Sequence, residues 1–534
     1  MNVAHHEIQL ADGARDAYGP WMTGDEEVPV LIVGGSLVGL TTAMLLGHHG
    51  VPSLALERHA GTAIHPRAGH FQLRTLEILR QVGLDERVRA KSLEMYSATG
   101  GINAVESLAG RELGIYIKEL NEGVEGFSPT VRVFINQDVL EPILRERALE
   151  LGAALQNRVD VVALDQDGDG VVATLRDLEG GGERRVRARY VVAADGNRSR
   201  TRARLGIAMQ GYGELSRSIT IYFRADCSEL IRDRNQGVIY VHNPQLRGFF
   251  RLDRSGGTGF LVINTVGEDV TTPEAIDVQT GLTDERARAL LRAAIGADIP
   301  MEIVDVALWR AEAICAERLC EGRVFLAGDA AHVVPPNGGY GGNTGVQDAH
   351  NLAWKLAAVV RGEAGPALLD TYDAERRPLD ELTVRQAYTR YATRVVPERG
   401  SDGVDPVVPD IELEIGTVVR SSAVIGDGDD DGTLHLDPAQ TRGRPGTRAP
   451  HLTLPDGRST LDLFGRDFVL VHGPAAHAPP GIAACRLDGE ALAVYGIEAA
   501  GAVLVRPDGI VAWRAPRMYE PAAVRQALNT VLAR

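Results

Sequence analysis

Residues 28–33 form a nearly unbroken apolar run, the pattern of a parallel strand buried on both faces. A glycine-rich turn follows, the pattern through 41–49 predicts a helix, and a second apolar run at 51–56 closes a β-α-β unit ending at Glu57. Helices are expected over 73–82 and, with Asp138 as N-cap, from 138 to 151. Between 155 and 194 the period shortens to that of three strands. Asp167-Gly168-Asp169-Gly170 and Gly180-Gly181-Gly182 punctuate them, which predicts a β-meander. More strands are expected at 219–223, 238–242, 248–252, 260–265 and 303–309, with a helix over 284–295. An apolar strand at 324–327 precedes a helix from near Thr344, where Val346, Ala349, Ala353, Leu356 and Val360 recur at helical spacing. Helix continues to about Thr393, and 396–409, rich in Pro, Gly and Asp, reads as a linker. The pattern implies an α/β chain: an extension at 1–27, a main domain from 28–217 and 310–395, a sheet domain inserted at 218–309, and a small α/β domain at 411–534.

Composition narrows the partners. The 534 residues are 44% hydrophobic and carry a net charge of -16, which repels nucleic acid and anionic membrane as a whole but leaves room for a local basic pocket. The four cysteines, Cys227, Cys315, Cys320 and Cys485, form no C-x-x-C pair, so neither a disulfide framework nor a zinc cluster is expected. The N-terminus lacks a signal-peptide pattern and no apolar run reaches the length of a membrane span, so a cytoplasmic protein is expected.

Two glycine-rich segments carry the chemistry. The first, Gly34-Gly35-Ser36-Leu37-Val38-Gly39, joins strand to helix in the manner of the G-x-G-x-x-G fingerprint. Its glycines make the turn, admit a pyrophosphate and let helix and strand pack closely, while the helix N-terminus offers N–H groups to phosphate oxygens. Ser36 replaces the middle glycine, and Glu57 ends the second strand, where an acidic residue can bind a ribose hydroxyl. The second segment runs Gly328-Asp329-Ala330-Ala331-His332 and then Pro335-Pro336-Asn337-Gly338-Gly339-Tyr340-Gly341-Gly342-Asn343. Asp329 at a strand end suits a ribityl hydroxyl, and a glycine loop opening a helix would aim N–H groups at an electron-rich ligand edge.

Together these residues resemble the class A FAD-dependent monooxygenases, in the phenol-hydroxylase-like branch that includes aromatic polyketide hydroxylases. Further matches are His65-Pro66-Arg67-Ala68, Gln137, Ala194-Asp195-Gly196 with Ser199 and Arg202, and Tyr372-Asp373-Ala374-Glu375-Arg376-Arg377-Pro378. The resemblance resumes in Gly446-Thr447-Arg448-Ala449-Pro450, Leu461-Asp462-Leu463-Phe464-Gly465 and Arg506-Pro507-Asp508-Gly509. It implies a GR2-type Rossmann FAD-binding domain with an inserted β-sheet substrate domain and a C-terminal thioredoxin-like domain. It assigns Gly34, Ser36, Leu37, Val38, Gly39 and Glu57 to the adenosine and pyrophosphate, with Arg58 near the adenine. Arg67 and Gln137 would line the flavin and its diphosphate, and Val161 and Pro336 join the FAD-contacting set. Asp195 belongs to the family's motif for both FAD and nicotinamide; Asp329 would hold the ribityl–pyrophosphate link, and Gly341, Gly342 and Asn343 the pyrimidine edge. Arg67, His70 and Tyr340 are the catalytic candidates; His70 either faces the flavin's reactive side or is a packed histidine. The sequence departs from the common family form at Ser36, Tyr340 and Gly342, and the last two imply a widened or reshaped pocket near the flavin.

The resemblance implies a cycle. NADPH or NADH, as a transient cosubstrate, reduces FAD; O2 adds at flavin C4a, and the peroxide hydroxylates an aromatic, polyketide-like small molecule. A Baeyer–Villiger or epoxidising outcome shares every cofactor motif, and a redox-responsive FAD-binding module without turnover is the reading from another class. The C-terminal unit holds only Cys485, so it implies packing or dimerisation rather than dithiol chemistry, in a monomer or homodimer. No metal is expected. Asp427, Asp429, Asp431 and Gly432 imitate an EF-hand start, but the twelfth position is Pro438; His5 and His6 lack metal spacing; His332 reads as structural, and Trp309, Trp354 and Trp513 as core.

Overall fold

The computed structural model describes residues 26–65, 67–232, 234, 237–265, 278–279, 281–396, 403–428 and 430–534. The expected extension up to residue 25, Pro66, Asp429 and linker residues 397–402 lie outside them. Among the described residues the fold is mixed α/β, with two eight-stranded sheets, a four-stranded one and a two-stranded one.

The first sheet runs, in order, Cys320–Glu321, Val324–Leu326, Glu183–Ala193, Glu26–Val33, Ser53–Glu57 and Ala154–Asn157. Its centre is parallel, with Leu31 opposite both Val191 and Leu54. The unbroken apolar run is explained by its two faces. Val30 and Ile32 pack under Leu40 and Met44 of the helix Leu37–His48. Leu31 and Val33 pack against Val159, Val161, Val171 and Leu175 on the opposite side. The expected meander is present as Val159–Gln166, Val171–Asp177 and Glu183–Ala193, paired antiparallel. The region has four strands rather than three. Arg158 takes a positive φ of 58° and breaks off Ala154–Asn157, which pairs in parallel with Ser53–Glu57 instead.

The second sheet is ordered His332–Val333, Met301–Ala316, Met209–Ala225, Thr258–Asn264, Leu246–Leu252, Val238–Asn243, Ile102–Val105 and Glu112–Ile117. It therefore extends beyond 218–309, and two of its strands come from before the meander. The helix Asp284–Ile295, capped by the Thr283 side chain and ended by Gly296 at φ 74°, covers one face. Leu291 and Ala294 there meet Ile221, Phe223, Phe250 and Leu261. The other face carries Tyr222, Tyr240, Phe249, Phe260 and Trp309 and turns toward the first unit: His65 stacks on Tyr222 at 4.4 Å, and Asn337 donates to the Tyr240 hydroxyl at 3.1 Å.

Several helices begin earlier than their patterns suggest. Leu37–His48 starts directly after Ser36, Gln137–Glu150 has Asn136 rather than Asp138 at its N-cap, and Gly341–Val360 starts three residues before Thr344.

The C-terminal sheet orders Ala483–Arg486, Val469–His472, Ala502–Val505 and Val511–Ala515, with the helix Pro521–Val531 across Leu470 and Leu504. A buried ion network fastens it to the main body. Glu375 takes Lys355 at 2.9 Å and Arg506 at 2.6 and 2.9 Å, and Arg506 also binds Asp508. The Trp354 indole donates to Asp508 at 3.0 Å. Burial lowers Lys355 to about 8 even with Glu375 beside it. Two motifs far apart in sequence, the 372–378 segment and the 506–509 segment, are thus one structural joint.

Candidate active site

The first glycine segment is built by sterics. Gly34 has φ 111°, and a Cβ there would lie 2.2 Å from the Ala194 carbonyl; a Cβ at Gly39 would lie 1.8 Å from the Gly34 carbonyl. Neither position admits another residue without moving backbone. Glu57 folds back on this turn and accepts from the Gly35 N–H at 2.8 Å and from the backbone and ring of His59 at 2.8 and 2.6 Å. A cleft lined by Gly35, Glu57, Gly61, Thr62, Arg145 and Asn157 opens beside it. Arg58 is exposed at its rim side of the strand end. Val161 stands apart from these residues, its side chain buried under the sheet with Leu54 and Leu56.

A residue without an obvious motif completes the turn. Buried Glu141 accepts from Ser36 Oγ at 2.5 Å, the Leu37 N–H at 2.9 Å, Gln137 Nε2 at 2.7 Å and the Ala63 N–H at 2.6 Å. Gln137 also donates to Ser36 at 3.0 Å and accepts from the Ala68 N–H at 3.1 Å. Ser36 in place of glycine therefore has a defined partner, and its hydroxyl joins the turn to the Gln137–Glu150 helix. The signal was one helical turn, Gln137 to Glu141, on the face toward the cleft.

The second segment lies against the first. Val38 packs on Gly328 and Gly345, and Leu37 and Ala68 on Gly342; a Cβ at Gly342 would come within 3.0 Å of Leu37 and 3.2 Å of Ala68. Gly342 thus lets the two motifs close together rather than opening a wider pocket. The N–H groups of Gly341, Gly342 and Asn343 begin a 20-residue helix, with no carbonyl one turn back to take them. The Asn343 side chain is fully used: it accepts from the Gln72 N–H and Thr75 and donates to the His70 and Gly339 carbonyls. Pro336 is exposed on the loop, its carbonyl accepting from the Gly339 N–H at 3.0 Å.

Asp329 opens onto the cleft at the end of Val324–Leu326, and its carboxylate has no hydrogen-bond partner among the described residues. Enclosure by protein pushes it up; His332 and Arg67 partly offset this. Asp195 differs. It is spent on Ser199 Oγ at 2.5 Å and the Thr201 N–H at 3.0 Å, which fixes the turn beside Gly34. Behind Asp329, buried His332, Asp348 and Asp380 lie close enough to hold a cation. Arg376 fills that role, at 2.8 Å from Asp348 and 3.0 Å from Asp380. Against burial, the two carboxylates raise His332 to about 9, and Asp348 accepts from the Gly328 N–H at 3.0 Å, which sets the turn that presents Asp329. In the acidic 427–431 loop, Asp427 pairs with Arg514 and Asp430 with Arg420.

Tyr340 is buried against the helices Asp410–Ile415 and Thr371–Arg394. Its hydroxyl donates to Asp410 at 2.6 Å, Arg390 holds the same carboxylate at 2.7 Å, and the Arg390 guanidinium lies 5.1 Å over the Tyr340 ring. Burial, Asp410 and the hydrogen bond keep the phenol well above its usual range, so it is a neutral donor. Arg394 stands 5.3 Å over Tyr116 and is hydrogen-bonded to Tyr240. His70 packs on Phe134 at 5.4 Å; burial and Arg132 lower it to about 4, so its ring is neutral near pH 7. Arg67 is exposed toward the cleft, electrostatically linked to both Asp329 and Tyr222. Sequence reading missed Asp410, Arg390, Arg394 and the aromatic sheet face: strands apolar on both faces hide which face meets a ligand, and Asp410 falls between the expected linker, 396–409, and the C-terminal domain from 411.

This arrangement can be set beside known proteins. An FAD binding domain family matches residues 27–387, and the aromatic-ring hydroxylase C-terminal family matches 442–534. The chain belongs to the FAD-dependent aromatic-ring hydroxylases. Among its relatives in this family, a 4-methyl-5-nitrocatechol 5-monooxygenase from Burkholderia sp is 53% identical, spanning 96% of this chain and 98% of that protein. An aklavinone 12-hydroxylase from Streptomyces purpurascens is 38% identical over 96% of this chain and 99% of its own. The crystal structure of an aklavinone-11 hydroxylase in ternary complex with FAD and aklavinone superposes with a TM-score of 0.87 at 36% identity, covering 96% of this chain and all of that one. The protein is thus an FAD-dependent monooxygenase. Among the described residues no helix is long and apolar enough to cross a membrane.

Proposed function

We propose that this hydroxylase uses NADPH or NADH and O2 to hydroxylate a small aromatic phenol in the cleft between the first sheet and the aromatic face of the second. The carrying observation is the unpartnered Asp329 carboxylate, at the turn where the starts of the helices Leu37–His48 and Gly341–Val360 pack together. This donor set fits FAD: N–H groups and Ser36 for the diphosphate, Glu57 for the adenosine ribose, Arg58 for the adenine side, Asp329 for the ribityl chain, and the N–H groups of 341–343 for the pyrimidine edge. When bound, FAD accepts hydride from the nicotinamide coenzyme and activates oxygen for transfer at C4a.

The chain's own residues supply position and charge. The N-terminus of Gly341–Val360 favours negative charge on the flavin's pyrimidine side. The wall of Tyr222, Phe249 and Phe260 stacks an aromatic ring and excludes water, while Tyr340, held by Asp410 and Arg390, offers a fixed hydroxyl. We read the C-terminal unit as a thioredoxin-like domain that holds the joint at Glu375 rather than acting on thiols. The nitrocatechol and aklavinone named for the relatives make phenols the first class to test. The test is substrate-stimulated NAD(P)H oxidation over a panel of phenols, catechols and aromatic polyketides, with product mass. One added oxygen on the ring supports hydroxylation. Lactone or epoxide products would replace it with the Baeyer–Villiger or epoxidising reading, and tight FAD without turnover on any member with the redox module.

A further inference from the structure

The turn that carries Asp329 is held from behind by one buried carboxylate. Gly328 has φ 63°, and a Cβ there would lie 2.7 Å from Val38 of the helix Leu37–His48. A Cβ at Gly345 would lie 3.0 Å from the Gly328 Cα, so the helix Gly341–Val360 meets the backbone of the turn directly. Asp348 stands three residues on from Gly345, on the same helix face, and accepts from the Gly328 N–H at 3.0 Å. The flanking N–H groups go to backbone instead: that of Ala327 to the Ala193 carbonyl at 2.9 Å, that of Ala331 to the Gly328 carbonyl at 2.7 Å. Asp348 is fully buried, and its two oxygens are divided. Oδ2 takes the Gly328 N–H and His332 Nε2, the latter at 2.7 Å; Oδ1 takes Arg376 Nε at 2.8 Å. In spite of burial, His332 and Arg376 hold its carboxyl below the usual range. Two cations on one carboxylate offset the cost of enclosing its charge and leave it able to serve three donors. Asp380, the second acid of the cluster, pairs with Arg376 at 3.0 Å; burial and Asp348 push it up, so it lends less charge.

We propose that Asp348 is a positioning residue for the cofactor: by holding the Gly328 N–H it fixes the turn from which the Asp329 carboxylate reaches the flavin's ribityl chain, and His332 and Arg376 act through it. This rests on the cofactor reading above, in which Asp329 is the ribityl ligand. The Asp329 carboxylate has no hydrogen-bond partner among the described residues, so its place is set by its backbone. That backbone follows a glycine, which restrains its own dihedrals least of all residues. The Gly328 N–H is therefore the handle by which the turn is held, and a shift of about 1 Å takes a hydrogen bond out of range. Arg376 ties Asp348 to the helix Thr371–Arg394, so the turn is referenced to two helices at once. The adenosine end is built separately, from Gly34–Gly39 and from Glu57 on the Gly35 N–H at 2.8 Å. Loss of Asp348 should thus be felt by the ribityl chain and not by the adenosine diphosphate.

The test compares FAD with ADP, which has the adenosine and diphosphate but no ribityl chain. FAD binding to the full chain is read from flavin fluorescence, and ADP binding from its competition with FAD. Asp348→Asn keeps the shape and removes the charge. It should weaken FAD about tenfold or more, leave ADP within about twofold, and quicken flavin release when the holoenzyme is diluted. Asp329→Ala should show the same split between the two ligands. His332→Gln keeps the carboxylate and one of its two cations; it should weaken FAD about threefold and guards against an Asp348 variant that fails to fold. FAD held by Asp348→Asn as tightly as by the wild type, or FAD and ADP weakened alike, overturns the proposal. If Asp348→Asn does not fold, an unchanged FAD affinity in His332→Gln overturns it. A wild-type FAD affinity in Asp329→Ala removes instead the cofactor reading beneath it.

Discussion

Asp329 and His70 are chemically alike in being poorly satisfied by protein, yet they face different tasks. Asp329 is an exposed carboxylate at the foot of the cleft, and His70 is a neutral ring wedged against Phe134. Asp329→Ala should cost the FAD site a charged hydrogen bond, about 2–3 kcal/mol or roughly 30- to 150-fold in affinity, whereas His70→Ala should keep its flavin. Flavin absorbance after desalting checks this; equal retention in both variants would remove Asp329 as a ligand. His70 also predicts a pH effect. Its folded value of about 4 lies below the ordinary 6.5, so the unfolded chain takes up the proton first. The associated stability is whole above about 6.5 and is lost as pH falls toward 4. In urea denaturation at pH 7 and pH 5, His70→Gln should lose less stability between the two than the wild type does.

At the scale of elements, the strand Glu26–Val33 and helix Leu37–His48 meet through the Gly34–Gly39 contact, and that contact sets the depth of the diphosphate cradle. Gly39→Ala puts a methyl group into the Gly34 carbonyl at 1.8 Å. The strand is held on both sides by parallel neighbours and cannot retreat. The expected outcome is a loss of about 1–3 kcal/mol or more and of bound flavin, read from the thermal midpoint and the 450 nm absorbance. An unchanged midpoint would mean that the helix can shift without disturbing the sheet. The β-α-β unit was legible because period and glycine spacing are local. The second sheet was less so: its strands Ile102–Val105 and Glu112–Ile117 are recruited from across the chain, and no local pattern encodes a partner so distant.

The whole molecule is fastened at the Glu375 joint. Glu375→Gln would leave buried Arg506 and Lys355 facing a neutral amide, a loss of about 3–5 kcal/mol that should appear as a lower denaturation midpoint. A midpoint equal to wild type would show that the joint is solvated in solution. Truncation after Val404 goes further, since it also removes Asp410 from Tyr340 and Glu414 from Arg132 and the Leu73 N–H. It should yield poorly soluble or aggregated protein in size-exclusion chromatography, and any soluble fraction should still carry flavin, because the proposed cofactor residues precede the cut. Cys485→Ser should leave coenzyme oxidation nearly unchanged, because no second thiol exists in its unit and burial raises its own pKa. A large loss of turnover with flavin intact would reveal a catalytic thiol.

Periodicity and glycine placement by themselves determined the β-α-β unit, the meander, the two glycine segments and, through their order, the family. These are short-range properties: a turn that needs positive φ, a helix whose N–H groups meet an anion, a strand apolar on both faces. The partners of those segments were decided only in three dimensions. Glu141 reaches Ser36 across 105 residues, Arg506 reaches Glu375 across 131, and Asp410 reaches Tyr340 across 70. Asp348 in sequence is one aspartate among many; its hold on the Gly328 N–H is visible only once His332 and Arg376 have folded against it. A buried charge is defined by everything that surrounds it, and those surroundings are assembled from distant parts of the chain.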